Sequence, residues 1–99
     1  MNYVVRSAEG TITVPDSVLA QIVRRAAERV DGARVRRPRR GLEVDLEGSR
    51  ANVSLELAAR YGAVLPGLAN DVQEQVSEAL TAMCGFDVQR VDVAIEELY

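Results

Sequence analysis

Ninety-nine residues carrying 15 acidic and 12 basic side chains give a net charge of −3 at pH 7, a length that suits one domain with one core over residues 1–99. Apolar residues at 47 % against 27 % charged exclude a disordered tail. Charged residues also interrupt each apolar run before the roughly 18 residues that a membrane span needs. The chain has no histidine and a single cysteine, Cys84, and all its basic residues are arginine. The common zinc and iron ligand sets, Ser-His and Cys-His nucleophile pairs, Schiff-base lysines and the P-loop lysine are therefore missing. The expectation is a protein without enzymatic activity, metal or cofactor. Residues 1–6 lack the charged start and apolar middle of a signal peptide, so the expected location is the cytoplasm.

In chain order, Tyr3 to Val5 and Thr11 to Val14 are strand-forming and flank a turn at Ala8-Glu9-Gly10. Val18, Leu19, Ile22, Val23, Ala26, Ala27 and Val30 form the one-sided stripe of a helix, with Pro15 and Asp16 in its first turn and Asp31-Gly32 at its end. Leu42, Val44 and Leu46 alternate with acidic residues. After Gly48-Ser49, Val53, Leu55, Leu57 and Ala59 alternate with Asn52, Ser54, Glu56 and Ala58, which predicts a β-hairpin with one covered and one wet face. Pro66 opens a second helix with Leu68, Ala69, Val72, Val76, Ala79, Leu80 and Met83 on one side, and Gly85 closes it. In the last strand, Phe86 and Val88 share one parity while Val91, Val93 and Ile95 share the other, so a bulge near Gln89-Arg90 is required to keep both sets inward. The predicted fold is α+β: a two-layer sandwich in β-α-β-β-α-β order, with an antiparallel sheet of three to five strands and two helices on one face.

The run Gly10-Thr11-Ile12-Thr13-Val14 before the first helix, with Asp31-Gly32 after it, resembles the opening of the alkaline shock protein family of bacteria, also called the envelope stress response family. Tyr61-Gly62-x-x-x-Pro66, Val72-Gln73-x-x-Val76, Met83-x-Gly85 and Val91-Asp92-Val93 extend the resemblance to about Ile95. The order and spacing of these motifs carry it. The chain departs from the family pattern at Cys84, where threonine is frequent, and at Arg34 to Arg40, where relatives carry a small glycine-rich loop. The resemblance implies a non-enzymatic cytoplasmic scaffold or adaptor in envelope stress response or homeostasis. Such a protein acts by self-association and by contact with a membrane-anchored or cytoplasmic protein, which can recruit it to the inner face of the membrane. Regulation of an enzyme of fatty-acid precursor synthesis is the alternative that the same resemblance implies.

Two surfaces stand out in the residues themselves. Arg34, Arg36, Arg37, Arg39 and Arg40 place five positive charges in seven residues, whereas Leu65 to Tyr99 carries a net charge of −6. The arginines form the candidate partner-binding segment, suited to phosphate, an anionic surface or an acidic protein; a solvated loop is the plain alternative. Nucleic acid is the weaker reading, because stacking aromatics are few and no G-x-x-G clamp occurs. Alternation assigns Glu43, Asp45, Glu47, Glu56, Asp92 and Glu96 to the wet face of the sheet as a candidate acidic contact face. Paired carboxylates need a cleft to do acid–base work, and a flat strand face offers none. Together the two charged surfaces suggest head-to-tail contact between copies.

Overall fold

The computed structural model describes the chain except Met1 and residues 37–41; Arg37, Arg39 and Arg40 of the candidate segment thus lie outside the described residues. Strands β1 (Asn2–Ser7) and β2 (Gly10–Pro15) form a two-residue-loop hairpin in which Ser7 faces Gly10 and Tyr3 faces Val14. Helix α1 (Asp16–Ala27) follows directly, with Pro15 as its N-cap in an extended conformation. Proline suits this end because its missing N–H has no partner to lose. Asp16 places in the first turn the negative charge that the helix dipole favours.

The helix stops at Ala27, one turn before the end of its apolar stripe. Val30 still packs against the core, but from a turn that closes through Val30 N–H to the Ala27 carbonyl and Ala33 N–H to the Val30 carbonyl. Gly32, at φ 89°, then redirects the chain into a short strand, β3 (Ala33–Val35), that periodicity does not reveal. Strands β4 (Leu42–Glu47) and β5 (Arg50–Ala59) form the expected hairpin across Gly48-Ser49, with Glu47 opposite Arg50. Helix α2 (Leu65–Cys84) has proline in its first turn and ends on Gly85, whose left-handed backbone (φ 71°) lets its own N–H reach the Thr81 carbonyl and the Phe86 N–H reach that of Leu80. Strand β6 (Asp87–Leu98) closes the described fold.

The main sheet has four strands, with β5 at its centre. Strands β3 and β4 lie in succession along one edge of β5: Val35 pairs with Leu57, Arg36 N–H reaches the Glu56 carbonyl at 3.0 Å, and Leu42 pairs with Leu55. Strand β6 occupies the other edge. The α+β class and the helices on one face match the sequence reading. Two details differ. Strands β5 and β6 pair in parallel, because α2 returns the chain to the end at which β5 begins, as a helical crossover does. The β1–β2 hairpin forms a sheet of its own, outside the main one.

The expected bulge is present: the register passes from Val88 to Arg90 and leaves out Gln89, and a second slip leaves out Glu96. The unbroken strand β5 keeps its odd-numbered residues inward along its whole length, with Ala51, Val53, Leu55, Leu57 and Ala59 buried against Leu19, Val23, Ala26 and Ala27 of α1 and Leu68, Val72, Val76 and Leu80 of α2. Phe86, just ahead of β6, seals one end of this core. Its ring meets Tyr3 edge-on at 4.4 Å, the geometry that aromatic quadrupoles favour. That contact docks the hairpin, whose far part overhangs the core and leaves Ile12 58 % exposed. The molecule is accordingly elongated, 51 × 22 × 19 Å.

Candidate interaction surface

Alternation along β4, β5 and β6 sends every second side chain away from the helices. Glu43, Asp45 and Glu47 of β4 are exposed on this outer face, beside half-buried Glu56 of β5 and exposed Asp92 of β6. Glu96 is exposed as well, but it is the extra residue of the second bulge. The slip puts Glu97 opposite Ala58, and Glu97 is a member of the face that simple alternation misses.

Both described arginines of the candidate segment lie on this same face. Arg36 extends between two acids, at 3.9 Å from Glu56 and 3.8 Å from Glu97. Its side chain and both partners remain 40 to 55 % exposed, so each pair is worth at most about 1 kcal/mol. The Arg34 guanidinium sits 4.0 Å above the ring of Tyr99, a cation–π contact. Arg90 pairs with Asp92 at 2.9 Å. The described part of the basic segment thus meets the acidic face within one molecule at Arg36, while Arg34 engages Tyr99.

A second surface lies where β5 and β6 end. The Tyr61 N–H bonds the Tyr99 carbonyl at 2.7 Å and the Tyr99 N–H bonds the Ala59 carbonyl at 2.9 Å, which brings the turn after β5 against the end of β6. Strand parity predicts an inward Tyr61, but β5 ends at Ala59 and Gly62 turns the chain at φ 98°. Tyr61 is consequently 79 % exposed and Val64 76 % exposed, with Leu65, Leu98 and Tyr99 also uncovered. Arg60 anchors this end through a two-point contact with Asp31, both N–O distances being 2.9 Å, and through its N–H to the Gly32 carbonyl at 2.8 Å. Hydrogen bonding from Arg60, reinforced by its charge, holds the Asp31 carboxyl below its ordinary pKa. Burial pushes the Cys84 thiol up, in keeping with a plain, half-buried cysteine.

Among the described residues no three His, Cys, Asp or Glu side chains gather as a metal site would require, and no helix is long and apolar enough to cross a membrane. A family profile described as alkaline shock protein 23 family, cell envelope-related function, matches residues 33–99, from β3 to the end of the described fold. The chain belongs to the alkaline shock protein 23 family.

This places the motifs of the second helix and last strand within the region that the family shares. No curated protein sequence matches the chain. Solved structures of similar fold include a MamM CTD at 19 % identity, covering 84 % of this chain and 99 % of that one with a TM-score of 0.59. A MamM CTD variant in its cadmium form (20 % identity, 83 % and 95 % covered, TM-score 0.58) and another in its copper form (19 % identity, 84 % and 98 % covered, TM-score 0.58) are similar too. At such identity the likeness is one of fold.

Proposed function

We propose that this member of the alkaline shock protein 23 family is a non-enzymatic scaffold or adaptor at the cell envelope, working through self-association and contact with another protein. The observation that carries the reading is the uncovered group Tyr61, Val64, Leu65, Leu98 and Tyr99 at one end of the sheet, adjoining Arg34 over Tyr99. Tyrosine, arginine and aliphatic side chains drawn together on a surface have the composition of a protein-contact site. The neighbouring outer face carries charges of both signs, which suits it to orient partners more than to bind them tightly.

The engagement of Arg34 and Arg36 with groups of their own molecule favours this reading over a grip on nucleic acid, for which arginines must reach phosphates. Isolation of the tagged protein from its own cells, beside a Tyr61→Ser/Val64→Ser variant, tests it. The expected result is recovery of further copies of the chain or of a membrane-associated protein with the native form, and their loss from the variant. Recovery of RNA, lost when Arg36, Arg37, Arg39 and Arg40 are changed to serine, would overturn the reading.

A further inference from the structure

Strand β6 ends the main sheet, with β5 as its partner strand. In a parallel ladder each residue bonds to the two neighbours of its register partner, and main-chain groups of successive residues point to alternate sides. Ala59 illustrates the rule: it is in register with Leu98, and its carbonyl accepts from the Tyr99 N–H. Val53, Leu55 and Leu57 are in register with Val91, Val93 and Ile95. Their bonds consequently go to Arg90, Asp92 and Ala94, and the main-chain groups of Val91, Val93 and Ile95 turn away from β5. Gln73 of α2 agrees with that direction, since its side-chain amide donates to the Val91 carbonyl at 3.0 Å. Beside this edge runs a groove of about 480 Å³ between α2 and β6, lined by Gln73, Ser77, Val88 and Val91 among others. The slips at Gln89 and Glu96 bound the regular stretch of open edge at both ends.

We propose that β6 pairs antiparallel with β6 of a second copy about a two-fold axis through Val93, joining two four-stranded sheets into one. This identifies a surface for the self-association read above and rests on that reading. The occupant follows from the edge itself. Between the two slips the three outward-facing residues are symmetric about Val93, so this register alone uses all three: Val93 meets Val93, and Val91 meets Ile95 in both directions. Centring on Val91 requires the bulged Gln89 to pair, and centring on Ile95 requires Glu97, whose main chain faces β5 after the second slip. In the Val93 register Arg90 stands opposite Glu96 and Asp92 opposite Ala94, so opposite charges meet and like charges do not. The amide of Gln73 yields the Val91 carbonyl to the Ile95 N–H of the second copy, one hydrogen bond replacing another. The contact is isologous and closes on itself, as two-fold dimers do.

Sedimentation velocity from micromolar to millimolar protein tests this with the native chain, Val93→Pro, Arg90→Glu, and Arg90→Glu combined with Glu96→Arg. Proline at 93 removes an N–H that faces away from β5, a position that edge strands tolerate; circular dichroism verifies that the variant folds. The expected results are dimers for the native chain, monomers for Val93→Pro, several-fold weaker association for Arg90→Glu, and recovery in the double variant. Should Val93→Pro not fold, the charge pair decides alone. Native-like association of both Arg90→Glu and folded Val93→Pro overturns the β6 pairing while leaving self-association standing. A native chain that stays monomeric throughout overturns both.

Discussion

At the scale of single residues, the most defined polar contact is Asp31 with Arg60, a two-point bond that ties the turn after α1 to the end of β5. Because the folded pKa of Asp31 is depressed, its contribution to stability is fully present above the unfolded value of about 3.9 and is lost as pH falls through the lower, folded value. In an NMR titration the Asp31 carboxyl is expected to give a midpoint below that of the same carboxyl in Arg60→Gln. Equal midpoints would mean that the bond is absent in solution. For Arg36, replacement by serine is expected to cost less than about 1 kcal/mol in denaturant unfolding, since its pairs with Glu56 and Glu97 are solvent-exposed. Cys84 lies half-buried with its thiol pushed up. At pH 7 it should react with iodoacetamide more slowly than a free cysteine, because the thiolate is the reactive form.

At the scale of elements, α2 and β5 supply most of the fully buried side chains, and their disruption is where stability should fall. Leu80→Ala is expected to cost about 2–5 kcal/mol as a large-to-small change at a fully buried site. Gly85→Ala should cost about 1–2 kcal/mol, because its left-handed cap conformation penalises any Cβ although no neighbouring atom blocks one. A drop in melting temperature of about 4–8 °C per kcal/mol reads both. The β1–β2 hairpin is a two-stranded sheet held to the body chiefly at Tyr3 and Val14, an arrangement with little stability of its own. Its amides should exchange with solvent well before those of β5.

The elements that sequence reading places correctly are those whose apolar pattern decides their geometry. The stripe of α2 and the strict alternation of β4 and β5 each admit one burial solution, and two inward sets of opposite parity in β6 force the bulge at Gln89. What stays hidden lacks such a pattern. Ala33-Arg34-Val35 is too short to show a period, and its strand state depends on the partner residues Leu57 to Ala59, far along the chain. The exposure of Tyr61 is set by Gly62 ending β5, which parity cannot anticipate. The outer acidic face is legible for the same reason as the strands, whereas the replacement of Glu96 by Glu97 opposite Ala58 depends on a slip that only the pairing of β5 with β6 defines.

At the scale of the whole molecule, a long body exposes an aromatic end, a face of mixed charge and an open strand edge on different sides. Surfaces of this kind suit the scaffold role proposed above, and the family to which the chain belongs is described as cell envelope-related. Opposite charges between copies should also make association depend on salt, since exposed pairs are screened beyond about 10 Å at 0.1 M. The most direct test of the central claim is the mass of the native chain by sedimentation equilibrium over a thousandfold range of concentration at low salt. Self-association requires a weight-average mass that rises with concentration to at least twice that of the monomer; a constant monomer mass of 10.8 kDa at every concentration would contradict it.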